Sequence, residues 1–421
     1  MKECKMNWSF VNDLKRGLGS TYVQISECPN KNQYRDELLY ACLHDIADDF
    51  VCEGSKGDYL YELVCLLPDK EYFRDKVAEY LMSSVLHKSS FLAQMLDFLA
   101  CFAYDGDNVA KQTIKDFYQQ YISKGKWTSN KIGGYDYLCI KMCQLFGIKK
   151  VLQILDDISK LPITLCNVGW FVATIKRRYK NNAKIQSIAE EEYVYTHTER
   201  NHTFDEFLSI IKQNEMAYHF ASWATEEEFQ KCVDFLQQCD DVDLVCKILE
   251  DGFQDVVTQK QLDVQLLLQL KDKFGSAIEE HVYATLGYIK SPMALQIGLD
   301  LVENNKYLDH AIHMLMTNYN SSLRYVIANA YNKVKFVFRR YHPIIYWTTD
   351  FMNTTKKHLP DEILFIAYNK SYSAFSREFV VDCMYKRKLL SRDFVEELKH
   401  DADYDIRKKA YKWAKKLYNQ E

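Results

Sequence analysis

Helix breakers are scarce in this chain: 421 residues hold 6 prolines and 14 glycines. A sandwich or barrel, with its many turns, would need more of both, so the scarcity favours an all-α protein. No Cys-x-x-Cys pair occurs among the 13 cysteines, whose number is odd. A disulfide framework is therefore not expected; Cys139 with Cys143, and Cys232, Cys239 and Cys246, fall at helical spacings on apolar faces as buried thiols of a reducing compartment do. Long apolar runs are also missing. The first residues, MKECKMNWSFVNDLKRG, lack the apolar centre of a signal peptide. The most apolar stretch, FLAQMLDFLACFAY, is too short for a bilayer and carries Asp97 in its middle. These absences predict a soluble, cytoplasmic chain with no membrane partner.

What is present is apolar and periodic. A composition 48% hydrophobic and 14% aromatic is too apolar for disorder. In EEHVYATLGYIKSPMALQIGLDLV, residues 279–302, Val282, Leu286 and Ile289 recur on one helical face, and Ala284 and Gly287 leave room for a neighbouring helix. Pro292 suits the first position of the next helix, where a missing N–H costs nothing, and Leu295, Leu299 and Val302 supply its stripe. A second pair follows, with Leu308, Ile312 and Leu315 facing Leu323, Ile327 and Ala330, and Ser321 or Ser322 as cap. The last segment, DADYDIRKKAYKWAKKLY, puts Ile406, Ala410, Trp413, Ala414 and Leu417 on one side, with acids at its N-terminal and lysines at its C-terminal end.

The stretch VYATLGYIKSPMALQIGLDLV and the Arg407-x-x-Ala410 spacing behind an acidic turn resemble HEAT repeats, most clearly in the last third of the chain. The resemblance implies an α-solenoid, a stack of antiparallel helical pairs each burying its apolar faces against its neighbours. It also implies, as the common use of such arrays, a non-catalytic protein, of bacterial type, that holds another macromolecule. Upstream the helices are less regular. The expected division is an irregular helical part at 1–187, a polar hinge or long loop at 188–224, and HEAT-like repeats at 225–421, opened by the capping-box-like Thr225-x-x-Glu228.

Candidate chemistry is thin. LKRGLGS, residues 14–20, has the glycines of a phosphate loop, but no strand precedes it and no lysine follows Gly19, so a turn between helices is expected. Glu190, Glu191, Glu192, His197, Glu199 and His202 mix carboxylates with imidazoles, as metal sites do, yet show no second Glu-x-x-His copy; a polar loop is expected, with no metal and no cofactor. His310 and His313 share a helical side without a carboxylate partner, and Cys52 is the cysteine expected to be most exposed, with no base in view.

The strongest signal is charge. The chain carries -4 overall, but from Ser321 onward 20 basic residues meet 12 acidic ones, leaving 34 against 46 before it. Arg339 and Arg340 interleave with Phe338 and Tyr341; Lys386 and Arg387 end one helix; Arg407, Lys408, Lys409 and Lys412 crowd the last. Cations tracking phosphates with aromatics for stacking suit nucleic acid, whereas a terminal repeat also needs a polar outer face. HEAT-like folds include bacterial alkylpurine DNA glycosylases, but this longer, mostly acidic chain shows no matching motif set. Three readings follow: a scaffold gripping a protein partner, a nucleic-acid-binding module built on those eight cations, and an enzyme whose site assembles from distant residues.

Overall fold

The computed structural model describes residues 6–83, 89–123, 135–159, 169–187, 203–213, 220–254, 260–338, 343–354 and 359–418. Among these residues every regular element is helical, with no strand, as the scarcity of Pro and Gly predicts. None of the helices is long and apolar enough to cross a membrane.

Contacts divide the chain into two units: Met1–Tyr193 with Val337–Tyr341 and Asn369–Glu421, and Val194–Phe336 with His342–Tyr368. The first unit opens with α1 (Trp8–Arg16), α2 (Gly19–Glu27), α3 (Arg35–Cys42), α4 (Phe50–Glu53), α5 (Gly57–Val64) and α6 (Lys70–Ser83). It continues with α7 (Ser89–Tyr104), α8 (Asn108–Ser123), α9 (Tyr135–Phe146), α10 (Ile148–Ser159), α11 (Gly169–Arg178) and α12 (Ala183–Gln186). Odd-numbered helices follow one another, α5 on α7, α7 on α9 and α9 on α11, with α6 and α8 against α7 and α8 and α10 against α9. The apolar α7 lies at the centre, with Leu92, Met95, Leu96, Leu99 and Phe102 all buried.

The second unit runs through α13 (Phe204–Lys212), α14 (Phe220–Trp223), α15 (Glu226–Gln238), α16 (Val242–Phe253), α17 (Val264–Phe274) and α18 (Glu279–Leu286). Then come α19 (Pro292–Glu303), α20 (Leu308–Thr317), α21 (Arg324–Lys333), α22 (Pro343–Thr354) and α23 (Glu362–Lys370), whose last two residues belong to the first unit. Here too α16, α18, α20 and α22 contact in sequence, while α19 and α21 pack on α20. Part of the stretch expected as a hinge, 188–202, lies outside the described residues; Thr203 opens α13 with a full capping box, its hydroxyl taking the Glu206 amide and the Glu206 carboxylate taking its own. Thr225 caps α15 and Pro292 starts α19 as the sequence predicts.

Two local expectations shift. The buried stripe of α19 is Ala294, Gly298, Leu301 and Val302, while Leu295 and Leu299 are half-buried. Gly298 is the reason: a Cβ there would sit 3.1 Å from the Met314 Cβ, so α20 approaches over the small residues. Asn320, not Ser321 or Ser322, takes the first free amide before α21, because Ser321–Leu323 is a turn of 3₁₀ helix.

The chain returns to the first unit for α24 (Ala374–Lys386), α25 (Arg392–Leu398) and α26 (Tyr404–Tyr418). They pack on α2, on α4 and on one another. This contact division departs from the sequence division, which joins 369–421 to the preceding repeats. Its physical cause is a buried polar cluster that no helical period announces, described next.

Candidate binding surface

The glycines of LKRGLGS form a helix-to-helix turn, as expected, and also an anchor. Gly17 ends α1 at φ 73°, a left-handed conformation glycine adopts freely, and its carbonyl accepts from the Ala402 amide at 2.8 Å and from Arg377 Nη2 at 3.2 Å. Arg377, fully buried, also donates to both carboxylate oxygens of the fully buried Asp401, at 2.8 and 3.3 Å. Beside them Lys56, equally buried, donates to the Lys15 carbonyl at 2.5 Å and pairs with Glu53 at 3.3 Å. Burial pushes the Lys56 ammonium down and the Glu53 carboxylate pulls it back up. Glu53 in turn accepts the Ala374 amide at 2.7 Å. Each charge meets an opposite charge and backbone groups, the condition under which buried ions are tolerated. This is a clamp joining the two ends of the chain. Sequence reasoning missed all four charged residues, whose partners stand up to hundreds of positions away.

The predicted cation set divides. Arg339 and Arg340 lie outside the described residues, as do Glu190–Glu192, His197, Glu199 and His202. Arg407 does not face a ligand: it holds Asp58 at 2.6 Å and the carbonyls of Asp401 and Ala402 at 2.8 and 3.1 Å. Lys409 is held by Glu378 and Asp382 at 2.7 and 2.6 Å. Arg387 is half-buried and Lys386 exposed. Lys408 and Lys412 are exposed and fall on one face of α26 with Lys415 and two exposed tyrosines, Tyr404 and Tyr411.

Two other sequence candidates, Cys52 and His313, are held in their neutral forms by their surroundings. Cys52 is exposed, but its hydrogen bond with Asp49, followed by burial and nearby acids, pushes its thiol up to about 11, away from the thiolate a nucleophile needs. His313 is 7% exposed and stacks on Trp347 with ring centres 3.7 Å apart, its edge against Tyr288. Burial, then the nearby His310, brings it down to about 3, so it stays neutral. Among the described residues no group of three or more His, Cys, Asp or Glu is placed to hold a metal ion.

A different surface stands out at one edge of the first unit, where three successive helix joints come together. Tyr104 Oη, at the end of α7, donates to Gln144 of α9 at 3.1 Å, and Lys111 of α8 lies over the Phe146 ring at 5.3 Å. Ile148, at the start of α10, borders a notch of about 550 Å³ whose other walls are Arg177, Arg178, Tyr179, Lys180, Asn181 and Asn182, from the end of α11 and the α11–α12 joint. Exposed apolar side chains sit along this row: Tyr104 at 56%, Val109 at 53% and Ile148 at 37%. The acids of the first joint are engaged, Asp105 by the Tyr61 hydroxyl and Asp107 by Arg74 at 2.5 Å. Among the described residues nothing pairs with Arg177, Arg178 or Lys180.

No family model, curated protein or solved structure matches the chain.

Proposed function

We propose that the protein is a non-catalytic binding or scaffold protein: a HEAT-like α-solenoid of stacked helical pairs that grips a protein partner. The observation that carries this reading is the row of exposed Tyr104, Val109 and Ile148 on neighbouring joints. Aromatic and aliphatic side chains left outside on adjacent repeats favour a partner, because burying them there removes apolar surface from water. Next-but-one contacts, α5 with α7, α7 with α9 and α9 with α11 in one unit and α16, α18, α20 and α22 in the other, support this reading. The buried charges fit the same picture, since they are consumed by the fold.

The test is quantitative co-purification from the source cells with the tagged full chain, wild type against Tyr104→Ala/Val109→Glu/Ile148→Glu. Proteins retained by the wild type and lost from the triple variant, with circular dichroism unchanged, are the expected result. An identical set from both sinks the reading.

The face of α26 carrying Tyr404, Lys408, Tyr411, Lys412 and Lys415 supports a second reading, nucleic-acid binding, since cations and exposed rings alternate along it. Titration of labelled duplex DNA and single-stranded RNA across a salt series, with Lys408→Glu/Lys412→Glu as control, separates the two. A steep salt-dependent affinity lost in that variant supports this second reading; no binding at low salt ends it.

A further inference from the structure

We infer that the notch between Ile148 and the α11–α12 joint seats an acidic segment of the partner protein, in which carboxylates alternate with aliphatic side chains. The inference rests on the protein-binding reading and gives the partner its chemistry.

Charge complementarity carries it. Arg177, Arg178 and Lys180 are exposed around the notch, Asn181 and Asn182 add amide donors, and among the described residues no carboxylate lines it. The first amides of α10 add a weak positive potential at Ile148. Lysines and arginines in the last turn of a helix usually serve its dipole, and Lys176, Arg177 and Arg178 end α11 in that way. The dipole explains cations there but not a notch, nor Lys180 beyond the helix, nor the apolar rim. Lys149 is exposed beside Ile148 and adds a fourth cation at the same end of the row. Ile148 belongs both to the notch and to the exposed apolar row, so the two are continuous.

The apolar component decides between a peptide and a nucleic acid. A phosphate backbone needs cations spaced along its path and rings for stacking. Here the cations gather at one point, and the surface leading from it offers Ile148, Val109 and Tyr104. A peptide satisfies both parts, carboxylates on the arginine forks and aliphatic side chains on the row.

The experiment is fluorescence anisotropy of the full chain with three labelled probes: a peptide of Glu and Leu, its Gln-for-Glu counterpart, and an oligo-dT strand. The Glu peptide binds, more weakly as salt rises, and loses about tenfold in affinity in Arg177→Glu/Arg178→Glu but not in Lys408→Glu/Lys412→Glu. Equal binding of Glu and Gln peptides, or of wild type and the arginine variant, overturns the inference. So does preference for oligo-dT lost in that variant, which makes the notch a phosphate site, or loss of self-association by sedimentation velocity, which makes the occupant a second copy. If no peptide binds but the triple variant of the apolar row still loses partners, the scaffold reading stands and only the acidic partner falls.

Discussion

Replacing Arg377 by methionine removes the centre of the clamp and tests whether the chain ends are held by charge. The guanidinium supplies two bonds to Asp401 and one each to Gly17 and Ser371, all buried. In the variant Asp401 keeps the Asp403 amide at 2.9 Å and loses the Arg377 guanidinium. Breaking a buried ion pair by removing one partner costs about 3–5 kcal/mol. Gly17 O keeps the Ala402 amide, so little further penalty falls on the backbone. Urea unfolding followed by far-ultraviolet circular dichroism gives the total, and hydrogen exchange at Ala402 localises it. Adding Asp401→Asn removes the stranded charge and is expected to recover at least half of the loss. A single variant within about 1 kcal/mol of wild type, or a double variant no better than the single, refutes the assignment of the clamp to this pair.

Three further outcomes follow from neighbouring geometry. Gly19→Ala places a Cβ 2.0 Å from the Glu397 carbonyl oxygen, which backbone cannot yield, so the first unit should lose about 2–3 kcal/mol in a urea titration. His313 sits in the folded state well below its ordinary value, so the unfolded chain takes the proton first; stability is complete above pH 6.5 and falls as acid is added, by about 2 kcal/mol at pH 5. His313→Phe should flatten that slope in thermal melts at pH 7 and pH 5. Cys52 should alkylate slowly at pH 8 despite its exposure, and Asp49→Ala should speed the reaction several-fold by mass spectrometry, because the carboxylate is the largest cause of its raised thiol.

Helical class, Pro292 at a helix start, the Thr225 cap and the turn role of LKRGLGS are legible because each depends on residues within one or two turns. The return of α24, α25 and α26 to the first unit is not. Arg377 and Lys56 look like ordinary surface cations in sequence; only the fold places Asp401 against Arg377 and buries Lys56 with Glu53, its neighbour three positions away. The same limit hides the proposed binding edge: Tyr104, Ile148 and Arg177 belong to three different joints, and no spacing relates them. Arg407 and Lys409 stand beside Lys408 and Lys412 in one basic helix, yet a helix turns neighbours to different faces.

That division changes the meaning of the charge asymmetry. A positive end on a negative chain invites an external polyanion as its explanation. In the first unit much of it is internal complementarity instead: Arg407 meets Asp58 at 2.6 Å, and His400 stacks on Tyr22 with its ring nitrogen 3.9 Å from Glu62. Glu53 receives the first amide of α24, and the Lys409 charge is spent on two acids of α24. Burial raises Asp58 while Arg407 holds it down, which is the signature of a pair matched across the closure rather than of a surface kept free. Cations used this way are engaged within the fold. Among the described residues two surfaces keep their charge outside it: the outer face of α26 and, beside exposed apolar side chains, the notch of Arg177 and Arg178. Of the two, only the notch joins charge to apolar surface across three separate helix joints, and that combination is what a protein partner would select.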